Sequence, residues 1–190
     1  MSIRVAQVST GNAGKLTLRQ LIADDRFELV AVSTSTPDKV GKDAGELAGV
    51  DTVTGITAVG DLDALIAAGP ECVVYCAMGD TRPREATNDV RKLLEAGIDV
   101  VGSAPGTLQY PWGTMPEKVI AKVEASAQAG NAASKSSPSI PWRGPRSRAS
   151  ASRRSASSLE IRIRVHRISA QVRAPMSFGV AWACRAARIR

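Results

Sequence analysis

The stretch "RVAQVSTGNAGKLTLRQLI", residues 4–22, passes from a β-branched run through a glycine turn into a helical pattern. Residues 3–8 read as a buried strand, and Leu18, Leu21 and Ile22 recur at helical spacing beyond the turn. Between them stands S-x-G-x-x-G, formed by Ser9, Gly11 and Gly14. A dinucleotide loop sets three tasks at such a turn: a tight exit from the strand, close backbone approach to a diphosphate, and close packing of helix on strand. Gly11 and Gly14 meet the second and third. The first falls to Ser9, which turns either with a negative φ or by accepting strain. In this reading Ser9, Thr10, Gly11, Asn12, Ala13 and Gly14 present amides to the diphosphate. The positive end of the helix lies behind them, and Lys15 adds charge. A glycine turn that merely ends a strand is the structural alternative.

Working outward, "FELVAVST" at 27–34 reads as a second strand and "TGITAVG" at 54–60 as a shorter third. Asp61 is a suitable N-cap for a helix over 61–68. "ECVVYCA" at 71–77 is the most continuously apolar run, suited to a central strand covered on both faces. A helix over 83–97 stops at Gly97, a fifth strand spans 98–104, and a further helix starts at Pro116 and ends before Gly130. Alternation of this kind predicts an α/β fold, a doubly wound parallel sheet whose ligands bind beyond the carboxyl ends of the strands.

Where an NAD-binding domain carries an acid for the ribose 2′-hydroxyl, the second strand ends "VSTSTPDKVGK". Ser35 and its neighbouring hydroxyls, with Lys39 and Lys42, suit a 2′-phosphate better than a carboxylate would. NADP is therefore favoured over NAD, against the alternative of a solvated loop whose lysines balance Asp38 and Asp43.

Composition narrows the classes. The chain has 190 residues, 44% of them apolar, with no run long enough to cross a bilayer. The N-terminus lacks a secretory pattern, so a cytoplasmic location and no membrane partner are expected. Three cysteines form no disulfide framework, and Cys72 and Cys76 read as buried small apolar residues. With His166 the one histidine, no metal site is expected. No G-x-S-x-G elbow supports a hydrolase.

The runs "IRVAQVSTGNAGKLTLRQLI", "LVAVSTSTPDKVGKDAGELAG", "DLDALIA", "CVVYCAMGD" and "LLEAGIDVVGSAPGTLQYPWG" together carry a likeness. Over roughly residues 2–132 the chain resembles the N-terminal domain of dihydrodipicolinate reductase-like proteins. It is more similar still to the NAD(P)H-dependent amine dehydrogenases that include 2,4-diaminopentanoate dehydrogenase. The resemblance implies a Rossmann domain, followed by an α+β domain that supplies substrate contacts, catalytic groups and an oligomer sheet. It implies an oxidoreductase moving hydride between NAD(P)H and an imine or amine carbon. The nicotinamide would lie against Ala77, Met78, Gly79 and Asp80 and against Gly102, Ser103, Ala104 and Pro105. Gly79 would let the ring approach closely. Asp80 would bind a ribose hydroxyl or cap the following helix, and Tyr110 and Trp112 would line the pocket mouth or pack a loop. The proton donor belongs to the second domain, so no catalytic residue is assigned here.

The likeness stops at about Asn131, where a "GxDPG"-like turn is expected and "AASKSSPSIPWRGPRSRASASRRSASS" stands instead. Residues 1–130 hold 12 Lys/Arg against 17 Asp/Glu, whereas residues 131–190 hold 13 against 1. The expected division is a dinucleotide-binding domain over 1–132 and a basic Arg/Ser/Ala-rich tail over 133–190, disordered on composition. The tail reads as out-of-frame translation, as a polybasic arm for nucleic acid or another polyanion, or as a divergent small domain. On the first reading the chain is a cofactor-binding domain with little turnover, and the family's homo-oligomer is in question. On the second it is a non-catalytic nucleotide-binding module.

Overall fold

The computed structural model describes residues 2–136. Six parallel strands run in the order β3-β2-β1-β4-β5-β6: β1 (Ile3–Val8), β2 (Phe27–Ser33), β3 (Ala58–Val59), β4 (Cys72–Tyr75), β5 (Asp99–Gly102) and β6 (Ser134–Ser136). The helices are α1 (Asn12–Ala23), α2 (Ala44–Ala48), α3 (Leu62–Ala67), α4 (Pro83–Glu95), α5 (Pro111–Thr114) and α6 (Glu117–Gly130). This strand order is that of the Rossmann fold. β1 is central because it pairs with β2 on one side (Val5↔Leu29) and with β4 on the other (Val5↔Cys72). The chain builds outward from β1 to β3, then returns through α3 to β4. That reversal opens a crevice beyond the carboxyl ends of β1 and β4.

Side-chain alternation divides the core. Ala6, Val8, Val73 and Tyr75 join Val90, Leu93 and Leu94 of α4, and Leu65 of α3, on one face. Val5, Cys72 and Val74 meet Leu21 of α1 on the other, where Leu18 packs with Val32, Ala44 and Ala48. Burying each of these leucines contributes roughly 1.5–3 kcal/mol. No helix among the described residues is long and apolar enough to cross a membrane.

Two elements depart from expectation. The third strand, expected over 54–60, shortens to two residues because the Asp43 carboxylate draws in the loop before it. That carboxylate accepts N–H bonds from Gly45 (2.7 Å), Thr54 (3.1 Å) and Gly55 (2.8 Å) and thereby caps α2, a helix the sequence pattern did not reveal. These hydrogen bonds, the Thr54 N–H foremost, hold Asp43 below the usual carboxylate range despite an opposing desolvation effect.

The sheet also runs past the boundary expected at residue 132. α6 ends on Asn131 at φ +53, Ala133 donates its N–H to the Asp99 carboxylate at 2.8 Å, and Ser134–Ser136 pair with β5. Backbone pairing, not an apolar pattern, makes this strand, so "SKS" carried no signal. The rest of the proposed tail, with His166 and the out-of-frame and nucleic-acid readings, lies outside the described residues.

α6 lies on α4 at backbone contact, since a Cβ on Gly130 would stand 1.7 Å from the Leu94 carbonyl oxygen. Gly130→Ala should therefore lower stability by about 1–3 kcal/mol, read as a shifted urea midpoint. An unchanged midpoint would contradict this packing.

Candidate functional site

The glycine turn sits where β1 meets the crevice. Ser9 has φ +80, so the strained alternative is the one adopted. Its N–H is anchored on the Ser33 carbonyl at 2.9 Å. Gly14 is required by packing, because a Cβ there would lie 2.2 Å from the Ser9 carbonyl oxygen. Gly11 differs. Its φ is −72°, and a Cβ would meet only Ser9 Oγ at 3.7 Å. No clash among the described residues demands a glycine at that position.

Helix α1 starts without a side-chain cap and without an acid in its first turn. Its first backbone bond runs from the Lys15 N–H to the Gly11 carbonyl at 2.7 Å, leaving the Asn12, Ala13 and Gly14 amides no helical acceptor. Gly11, Asn12 and Ala13 are exposed. About half a unit of positive charge from the helix dipole gathers at this end. A helix start of this kind can receive an anion. Lys15 does not join it closely, for its ammonium stands beside Gly49, the C-cap of α2, where a Cβ would lie 2.9 Å away.

The end of β2 is tied to the same corner. Thr10 is buried and its hydroxyl pairs with that of Thr34 at 3.0 Å. Lys39, in the 3-10 turn Pro37–Lys39, donates from Nζ to the Thr10 carbonyl at 2.9 Å. Ser35 and Asp38 are exposed, and Lys42 turns away to Glu46 at 2.8 Å.

The segments after β4 and β5 meet each other. A Cβ on Gly79 would lie 2.7 Å from Pro105 Cα and 3.2 Å from Ala104 Cβ. Gly79 is buried in that contact, so packing of the two loops accounts for the glycine without any ligand. Gly102 belongs to β5 itself, where a Cβ would strike the Tyr75 carbonyl at 2.3 Å. Ala77 and Ala104 pack against the main core, whereas Met78 is 67% exposed. Asp80 is exposed and lies near Gly106. Tyr110 and Trp112 are exposed and meet edge to face at 6.0 Å.

Similarity to known proteins follows the same lines. No family model matches the chain. An amine dehydrogenase of Streptomyces virginiae is 44% identical over 95 residues, half of this chain and 26% of that protein. Over half its length, the chain is homologous to an amine dehydrogenase. A 4-hydroxy-tetrahydrodipicolinate reductase of Acaryochloris marina is 31% identical over 101 residues, 36% of its own length. Both poles of the resemblance read from the sequence are therefore borne out. Among solved structures, an amine dehydrogenase from Mycobacterium smegmatis superposes with a TM-score of 0.62 at 23% identity, over 72% of this chain and 39% of that one. Biliverdin reductase from Synechocystis, solved with biliverdin and NADP+, gives 0.51 at 19% identity over 70% and 37%. GenD2 of gentamicin A biosynthesis, solved with NAD, gives 0.50 at 20% identity over 70% and 34%. The chain thus spans between a quarter and two fifths of the length of each of these proteins.

Two residues of this corner and the adjoining end of β4 escaped the sequence reading. Gln7 lies fully buried beneath the turn, and its Nε2 donates to the carbonyls of Ser9 (2.9 Å) and Gly14 (2.7 Å). An amide inside an otherwise apolar strand was the available signal. Cys76, expected to be a plain core residue, is half-buried at the end of β4, with Thr17 Oγ1 at 3.5 Å and a hydrogen bond to Ser103. Burial, outweighing both hydrogen bonds, pushes its thiol above the ordinary value.

Relieving the positive φ at Ser9 should outweigh the extra chain entropy of glycine. Ser9→Gly is expected to gain about 0.5–1 kcal/mol in a urea titration. A loss of stability would mean that the serine hydroxyl holds the turn.

Proposed function

We propose that residues 2–136 are the cofactor-binding part of an oxidoreductase that moves hydride between NAD(P)H and an imine or amine carbon. The observation that carries this reading is the uncapped first turn of α1 beside a Gly11 that no internal clash requires. Such a corner fits a diphosphate, and it lies at the reversal of strand order where dinucleotides bind. Similarity to an amine dehydrogenase supports the substrate class.

In this reading Asn12 and Ala13 hold the diphosphate through main-chain N–H groups, joined by that of Gly11, which without ligand donates to the bordering Ser9 Oγ at 3.4 Å. The segments Ala77–Asp80 and Gly102–Pro105 border the nicotinamide side. The bound nicotinamide supplies the hydride. None of the described residues is assigned as the proton donor, and residues 2–136 alone bind cofactor with little turnover.

NADP is favoured over NAD. Solved neighbours hold either, so the fold permits both. Lys39 is fastened over the corner by one of its three donors, and no acid stands at Ser33–Thr36. Fluorescence titration should show NADPH binding roughly tenfold tighter than NADH, with Lys39→Ala removing most of the difference. Equal affinities would assign NAD equally well.

Gly11→Asp separates folding from binding. An aspartate N-cap should leave stability unchanged or raise it by a few tenths of a kcal/mol, because it satisfies the free amides. The same carboxylate occupies the anion position, so NADPH affinity should fall at least roughly tenfold. Undiminished binding by a folded Gly11→Asp chain would refute the assignment of the corner.

A further inference from the structure

We infer that Gln7 is a positioning residue, whose buried amide holds the glycine corner in the shape that leaves the first amides of α1 free for a ligand. This rests on the dinucleotide reading above. Gln7 lies on β1 between the partners Val32 and Val74, and it is 0% exposed. Its two Nε2 hydrogens go to carbonyls on opposite sides of the turn, Ser9 on the strand side and Gly14 in the helix. Those two acceptors fix the amide's orientation, since an oxygen in the same place would face two other oxygens.

Oε1 is left buried and without a hydrogen-bond partner. An apolar side chain of similar size would avoid that desolvation cost and would suit the surroundings, where Val5 and Val74 pack with Leu21. The amide is thus a poor choice for packing and a good one for tying two carbonyls together. The tie acts where it is needed. Ser9 is held at φ +80 although it is not a glycine, and Gln7 grips the carbonyl that follows that angle.

The test uses the full chain carrying Gln7→Leu or Gln7→Glu, with NADPH followed by fluorescence and ADP-ribose by calorimetry. Leu65→Ala, in α3 and away from the corner, serves as a control for lost stability. Gln7→Leu should weaken both ligands at least roughly tenfold, because ADP-ribose shares the diphosphate, whereas Leu65→Ala should keep wild-type Kd values in its folded fraction. Gln7→Glu should recover affinity relative to wild type as the pH falls from about 8 to about 5. A protonated carboxyl donates to one carbonyl, a carboxylate repels both, and burial raises its pKa into that interval.

Wild-type affinity for both ligands in Gln7→Leu would overturn the inference, as would loss of NADPH binding with ADP-ribose unaffected. So would a Gln7→Glu chain with no acid recovery. A wild-type chain that binds neither ligand would instead overturn the dinucleotide reading, and this inference with it.

Discussion

The structure depends on how tightly the chain turns out of β1. At Gly14 the helix backbone comes so near the strand end that a Cβ would sit 2.2 Å from the Ser9 carbonyl oxygen. That approach sets the start of α1 against the sheet, and from there Leu18 and Leu21 reach the core. It also decides what neighbours α1, because Arg19 extends from the helix to the Ala48 carbonyl at 2.6 Å and fastens α2. Movement at the turn would therefore be felt across one whole face. The unused amides of the first turn are a by-product of the same closure, and they give the corner its chemistry.

The two sides of the crevice are built on different principles. On the β1 side, backbone groups are left free and the side chains nearby are small or buried. On the β4 and β5 side, the loops press on each other through Gly79, Ala104 and Pro105, and Met78, Asp80, Tyr110 and Trp112 are exposed along them. An anion suits the first side. A flat, weakly polar group suits the second. A dinucleotide, the ligand proposed above, has both.

Much of this was legible in the sequence, for identifiable reasons. Continuous apolar runs such as "CVVY" announce a strand covered on both faces, and capping residues such as Asp61 mark a helix start that the structure repeats. The site's backbone was legible through its glycines, and Gly14 packs helix on strand as its place in the turn suggests, but the reason for Gly79 was not. Gly79 reads like a ligand contact and proves to be a packing necessity, while no clash among the described residues requires Gly11. Short elements stayed hidden. α2 is organised by one carboxylate that caps it at Gly45 and gathers the two distant amides of Thr54 and Gly55, and β6 by main-chain pairing; neither leaves a periodic pattern. Gln7 was passed over because strand reading counts apolar residues and treats one amide as noise.

β6 bears on geometry as well as on strand count. It is parallel to its neighbours, so Ser136 leaves the sheet at the same rim as Val8, Tyr75 and Gly102. An antiparallel sixth strand would have delivered the polypeptide to the far end of the molecule. As built, Ser136, where the described residues end, stands at the rim on which the crevice opens.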